Sequence, residues 1–236
     1  MAGTLYVVAT PIGNLEDLTF RAKRILSEVS LIAAEDTRQS KILLNHYEIK
    51  TPLTSYHKFN IMSKAEYLLG KLELGSDLAL VTDSGTPCIS DPGYELVREA
   101  AKRGITVVPI PGASAAITAL SAAGLPTDRF AFEGFLPKRP GKKRKLLEAL
   151  KNEERTIIIY ESPFRLLKTL QEIVTSMGDR QVAVCRELTK KFEEIKRGKA
   201  SEVLAHFQAK AVKGEIVIVV EGLSDDKEKE VPEVDC

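Results

Sequence analysis

The chain has 236 residues, of which 44% are hydrophobic and 28% charged, enough to bury one large core or two modest ones. Its net charge of +1 hides an asymmetry: residues 225–235 hold six acids and two lysines, so this tail carries −4 and the body +5. Three cysteines (Cys88, Cys185, Cys236) without metal-ligand spacing argue against a disulfide framework or a metal site. No basic-apolar leader or membrane-length apolar run is evident, so a cytoplasmic protein is expected.

In chain order, Thr4–Ala9 reads as a buried strand that breaks at Thr10–Asn14, followed by an apolar helical spacing from Leu15 to Val29. Leu31–Ala34 is a short strand closed by Glu35-Asp36-Thr37-Arg38, with an amphipathic stretch to Tyr47. Thr51–His57 holds a short or edge strand and Ile61–Leu74 a helix. Leu78–Val81 is an unbroken apolar run. The irregular stretch Thr82-Asp83-Ser84-Gly85-Thr86-Pro87 follows it, and Asp91 with Pro92 is expected to open the helix that stops at Gly104. Ile105–Ile110 is a strand, and Pro111–Ala116 starts a helix of small residues. Repeated β-α units imply a parallel sheet with helical crossovers.

The second half changes character. Phe130–Phe135, Thr156–Tyr160, Val182–Arg186, Glu193–Gly198 and Glu215–Val220 read as strands, with Glu193–Gly198 antiparallel. Ser162 and Pro163 are expected to cap and start a helix ending at Gly178. The resulting fold class is α/β with two domains. The first is expected over residues 1–122 with a mainly parallel sheet, the second over 123–222 with a mixed sheet, and 223–236 as a disordered acidic tail.

Three first-half strands end in loops rich in glycine and proline: Thr10–Asn14, Thr82–Pro87 and Pro111–Ala116. One such loop is ordinary turn geometry; three on the same rim suggest a binding crevice outside the strand ends. Neither a Walker loop nor GxGxxG is present, which points away from NTPases and NAD enzymes. Asp83 either holds a ligand or bonds its own loop, and the sequence does not choose between these. Six of the eight residues Lys138–Lys145 are Lys or Arg. They are read as a mobile arm on nucleic-acid phosphates, against the plainer reading of a solvated helix face.

Residues 4–38, 82–93 (TDSGTPCISDPG), 110–116 (IPGASAA), 133–140 (EGFLPKRP) and 160–165 (YESPFR) together resemble the tetrapyrrole methylase family of S-adenosylmethionine enzymes. TPIGN stands where tetrapyrrole-modifying members carry GxGPGD, and is similar to the branch that acts on small-subunit ribosomal RNA. The resemblance spans about Thr4 to Glu221. Some ribosomal members have a further C-terminal segment.

The resemblance implies a homodimer of two-domain chains, with the cofactor S-adenosyl-L-methionine in an interdomain cleft and no metal. It implies 2′-O-methylation of a cytidine ribose in the decoding region of 16S rRNA. Pro11, Ile12, Gly13, Asp83, Gly85, Thr86, Ser114 and Ala115 would contact the cofactor, together with Tyr160, Glu161, Leu188, Gly214 and Glu215. The chemistry would be displacement of a sulfonium methyl by the ribose oxygen, assisted by a base. Glu35, Asp36, Glu161 and Glu187 are candidates, left unresolved. Arg21, Arg38, Lys58, Lys138, Arg139, Lys142, Lys143, Arg144 and Lys145 are the candidate RNA contacts. Other readings on the same fold are methyl transfer to a tetrapyrrole or a protein side chain, or a non-catalytic ribosome-assembly factor.

Overall fold

Each strand of the first sheet leaves its alternate side chains to opposite helix layers. The computed structural model describes residues 1–57 and 61–223. The chain divides into two compact units, Met1–Ala115 and Ala116–Cys236.

The first unit contains β1 (Thr4–Val8), α1 (Phe20–Glu28), β2 (Leu31–Ala34), α2 (Thr37–His46), β3 (Leu53–Ser55), α3 (Ile61–Glu73), β4 (Leu78–Val81), α4 (Tyr94–Lys102) and β5 (Thr106–Ile110). All pairings are parallel, in the order β3-β2-β4-β1-β5. The period of two sends Val8, Ile32, Ala34, Ala79, Val81 and Ile110 to the layer of α1 and α2. Leu5, Leu31, Ala33, Leu78 and Leu80 go to the layer of α3 and α4. This is a doubly wound sheet, and the strand order reverses across the neighbours β1 and β4, so the loops beyond their carboxyl ends flank the switch point.

Three local expectations give way to other geometry. Leu15–Asp17 is a separate 3-10 turn with Asn14 as its cap, and α1 begins only after Thr19, whose Oγ1 accepts from the Ala22 amide at 3.0 Å. Asp91 does not cap α4; Gly93 does, at φ 140° and without a side-chain bond. A Cβ there would lie 2.7 Å from Cys88 Sγ and 2.8 Å from Leu80 Cδ2, so packing against β4 selects glycine and delays the helix. In the second unit Ser162–Arg165 is a turn closed by the Arg165 amide on the Ser162 carbonyl at 2.9 Å, and the helix starts at Leu166.

The second unit contains α5 (Ala115–Ala123), β6 (Phe130–Phe135), α6 (Pro140–Ala149), β7 (Thr156–Glu161), α7 (Leu166–Met177), β8 (Gln181–Arg186), β9 (Glu194–Lys199), α8 (Ala200–Gln208) and β10 (Ile216–Val220). Its sheet, in the order β6-β7-β10-β8-β9, is mixed: β6 and β7 are parallel, and the other neighbours antiparallel. Ile157, Ile159, Val182, Val184, Ile216, Ile218 and Val220 pack under α6, α7 and α8. α5, expected with the first domain, is tied to this sheet instead. Arg197 donates from Nε to the Ala122 and Ala123 carbonyls, both at 3.1 Å, and Cys185 Sγ lies 4.0 Å from the Ala119 carbonyl. The boundary therefore falls at 115/116. The acidic tail from residue 224 lies outside the described residues.

Candidate functional site

The carboxyl edge of the first sheet is knitted from four loops. Thr10 and Gly85 form an isolated antiparallel bridge, with amide-to-carbonyl bonds of 2.9 and 3.1 Å in the two directions. Thr10 Oγ1 also donates to the Thr82 carbonyl at 3.1 Å. Thr86 Oγ1 donates to the Ala113 carbonyl at 3.2 Å, joining the β4 loop to the β5 loop. Gly85, at φ 86°, lies against Ile12, and a Cβ on Gly112 would be 2.9 Å from the Ala9 Cβ. The small residues let three backbones meet.

The fourth loop follows from register. Ala34 pairs with Val81, so Glu35 and Asp36 are the next lateral neighbours of Thr82 and Asp83. Thr82 Oγ1 donates to Glu35 Oε2 at 2.8 Å, and Asp83 Oδ1 accepts the Asp36 amide at 3.0 Å. Asp36 caps α2 by accepting the Arg38 amide, and the Arg38 guanidinium folds back on it at 2.6 Å. These bonds from Arg38, side chain first, hold its carboxyl down to about 2. Asp83 moves the other way: partial burial pushes its carboxyl up, opposed by the Asp36 amide and reinforced by the charges of Glu35 and Asp36. Pro11, Ile12 and Gly85 are buried. Thr86, Ser114 and Ala115 are half-buried, and Gly13 and Asp83 are exposed. The structure thus gathers Pro11, Ile12, Asp83, Gly85, Thr86 and the Pro111–Ala116 loop at one edge. Thr10 and Thr82, the latches, were not among the expected residues; the lateral register of β2 and β4 is the signal that finds Thr82.

Cys88 lies beside this edge with φ 72°. Burial, aided by Glu95 and Asp91, pushes its thiol up to about 11, so it stays protonated near neutrality and is a poor nucleophile.

In the second unit, Glu161, Ile216 and Arg186 are cross-strand partners, so Tyr160, Glu161, Glu187, Leu188 and Glu215 share one sheet edge. Glu187, at φ 51°, accepts the Glu215 amide at 3.0 Å and the Lys190 ammonium at 2.9 Å. Burial would raise its carboxyl, yet the Glu215 amide and Lys190 outweigh that and lower it. Gly214 packs on this carboxyl group, leaving no room for a Cβ. Leu188 is buried; Tyr160 and Gly214 are half-buried, and Glu215 is exposed.

Glu161 is the larger surprise. Alternation along β7 puts it on the face of Ile157 and Ile159, beneath the helices, with its side chain fully buried. Oε1 accepts the Ser162 amide at 2.8 Å and pairs with Arg165 at 3.2 Å, while Oε2 accepts the Thr169 hydroxyl at 2.5 Å. Lys143 belongs to the same cluster. Its ammonium donates to Thr169 Oγ1 at 2.6 Å and pairs with Glu172 at 2.7 Å, with its side chain 5% exposed. Lys143 is therefore no RNA contact, because it shares the apolar stripe of α6 with Leu147. Nor is the run a free arm, since from Pro140 it is α6 itself. Lys138, Arg139, Lys142, Arg144 and Lys145 remain at least partly exposed, as do Arg21 and Arg38; Lys58 lies outside the described residues. Among the described residues no group of three or more His, Cys, Asp or Glu is arranged to hold a metal, and no helix is long and apolar enough to cross a membrane.

Residues 4–204 match the family described as tetrapyrrole (corrin/porphyrin) methylases, and the chain belongs to that family. At finer resolution the chain is similar to proteins named ribosomal RNA small subunit methyltransferase I. The Halalkalibacterium halodurans protein is 53% identical over 97% of this chain and 79% of its own length. The Thermotoga maritima protein is 49% identical over 93% of this chain and 99% of its own. Among solved structures, a cobalt precorrin-4 methyltransferase superposes with a TM-score of 0.67 at 18% identity, covering 92% of this chain and 94% of that one. A diphthine synthase does so with 0.66 at 13%, covering 92% and 89%. These two share the fold; their different substrates show that fold alone does not choose the acceptor.

Proposed function

We propose that the protein uses S-adenosyl-L-methionine to methylate the 2′-oxygen of a cytidine ribose in the decoding region of 16S rRNA, acting on the small ribosomal subunit. The observation carrying this reading is the identity of about half, across both units, to proteins named for small-subunit rRNA methylation. Tetrapyrrole and diphthine enzymes share the fold at a fifth or less. A homodimer in the cytoplasm completes the reading.

The first-unit edge fits the cofactor chemically. S-adenosylmethionine has no phosphate, carries ammonium and sulfonium cations, and supplies an already activated methyl group. The edge likewise has no phosphate cradle, offers the Asp83 carboxylate, and has Gly85 and Gly112 fitted tightly enough for backbone to approach a ligand. Pro11, Ile12, Gly13, Asp83, Gly85, Thr86, Ser114 and Ala115 would hold it there. Of the four candidate bases, Asp36, Glu161 and Glu187 are each bound to a cation of their own. Glu35 accepts the Thr82 hydroxyl through Oε2, which leaves Oε1 to accept a proton. We therefore assign Glu35 as the base.

The test is transfer of labelled methyl from S-adenosylmethionine to small subunits lacking native methylation, alongside precorrin and protein acceptors. Label entering 16S rRNA alone is expected; label in either other acceptor, and none in RNA, would overturn the reading.

A further inference from the structure

The edge of the second sheet carries an aromatic cluster in which Tyr160, a candidate cofactor residue, meets Phe132 and Phe135. β6 and β7 run parallel with Phe135 registered against Tyr160, so their carboxyl ends lie together. The Phe132, Tyr160 and Phe135 rings meet edge-to-face, with centroids 4.9 and 5.6 Å apart. Phe135 is 60% exposed, and in the turn after β7 Phe164 is 97% exposed.

This turn is held, not loose. Arg165 pairs with the buried Glu161 carboxylate and donates to the Leu136 and Pro137 carbonyls at 2.9 and 3.3 Å. It therefore clasps the loop after β6 to the turn bearing Phe164. Lys138, the residue after Pro137, and Arg139 and Lys142 beyond it are exposed cations on the clasped loop and the first turn of α6.

We infer that this edge seats an unpaired RNA strand, with Phe164 and Phe135 stacking bases while Lys138, Arg139 and Lys142 take phosphates. The inference rests on the rRNA-methylation reading and says how that substrate is gripped. Charge selects the occupant. A second copy docked by a two-fold axis on this patch would bring the basic cluster against itself. An unpaired strand supplies π-faces and negative charge together.

The test is anisotropy of a labelled unpaired oligoribonucleotide titrated with the full chain at several salt concentrations. F164A is expected to weaken binding about five- to hundredfold, the range for removing one base–aromatic stack, with S-adenosylmethionine affinity and thermal midpoint unchanged. Its slope of log affinity against log salt stays that of the wild type, whereas K138E lowers the slope by roughly 0.7 for each phosphate it no longer neutralises. The chain has no tryptophan, so F164W gives a single reporter whose emission the strand quenches. Wild-type affinity in F164A with no quenching in F164W would overturn the seat. So would an F164A effect confined to sedimentation, which would assign the ring to a second copy. If the wild-type chain still methylates small subunits in those cases, only the seat has failed. If it neither binds the strand nor methylates, the RNA reading has failed with it.

Discussion

The Lys143 ammonium donates to the Thr169 hydroxyl at 2.6 Å, and that hydroxyl donates onward to the buried Glu161 carboxylate at 2.5 Å. A lysine in the middle of a basic run is thus the keystone that ties α6, α7 and the end of β7 together. Removing the ammonium takes away its bond to Thr169 and its pair with Glu172, while Glu161 keeps Arg165, the Ser162 amide and Thr169. Losing a hydrogen bond made by a charged group costs about 1.5–3 kcal/mol. K143M is expected to lose that much in urea unfolding, whereas K142M, one residue away on the exposed face, stays within about 0.5 kcal/mol of wild type. Equal effects would mean the cluster contributes nothing specific.

Gly85 holds the other site together, bridged to Thr10 at φ 86°. A side chain in the left-handed region costs roughly 1–2 kcal/mol, and the new Cβ would press on Ile12 Cγ2 at 3.4 Å. G85A is expected to lower stability by that amount and to weaken S-adenosylmethionine binding in calorimetry. G104A, at a helix end with open space around it, carries the backbone cost without the binding loss.

Glu35 is the carboxylate with an oxygen to spare. E35Q keeps the Thr82 bond and removes proton acceptance. A loss of roughly 10²–10⁴ in kcat is expected with KM for subunits little changed. An unchanged kcat would leave positioning of the nucleophile as the source of catalysis.

Acid stability is expected to respond to Glu194, which faces its cross-strand partner Arg186 at 3.1 Å, His206 at 2.8 Å and Lys210. Burial alone would raise its carboxyl, but hydrogen bonds from Lys210, His206 and Arg186 bring it down to about 2. A carboxyl lower in the folded than the unfolded chain stabilises above the unfolded value, near 4.5, and loses that contribution as pH falls toward 2. E194Q should flatten the fall of the thermal midpoint between those pH values and lower the midpoint at pH 7.

Much of this was legible in the residues. The apolar run Leu78–Val81 followed by small and polar residues marks a buried parallel strand and an irregular loop, and both are present. What escaped was lateral. Thr82 meets Glu35 only because β2 and β4 are neighbours, and strand order is not written in local pattern. The case of Lys143 is different, since its signal was present: Lys143, Leu147 and Leu150 are spaced as one helix face, and the charge run masked that period. Asp91 misled because an N-cap preference is worth about 1 kcal/mol, less than the steric demand of seating Gly93 against Leu80 and Cys88.

The most direct measurement is alkaline hydrolysis of 16S rRNA labelled by this protein from methyl-tritiated S-adenosylmethionine, with the products separated by size and charge. A 2′-O-methyl group blocks cleavage of the adjacent phosphodiester, so the expected result is label confined to one alkali-resistant dinucleotide containing cytidine. Label in mononucleotides would place the methyl on a base and contradict a ribose-directed enzyme.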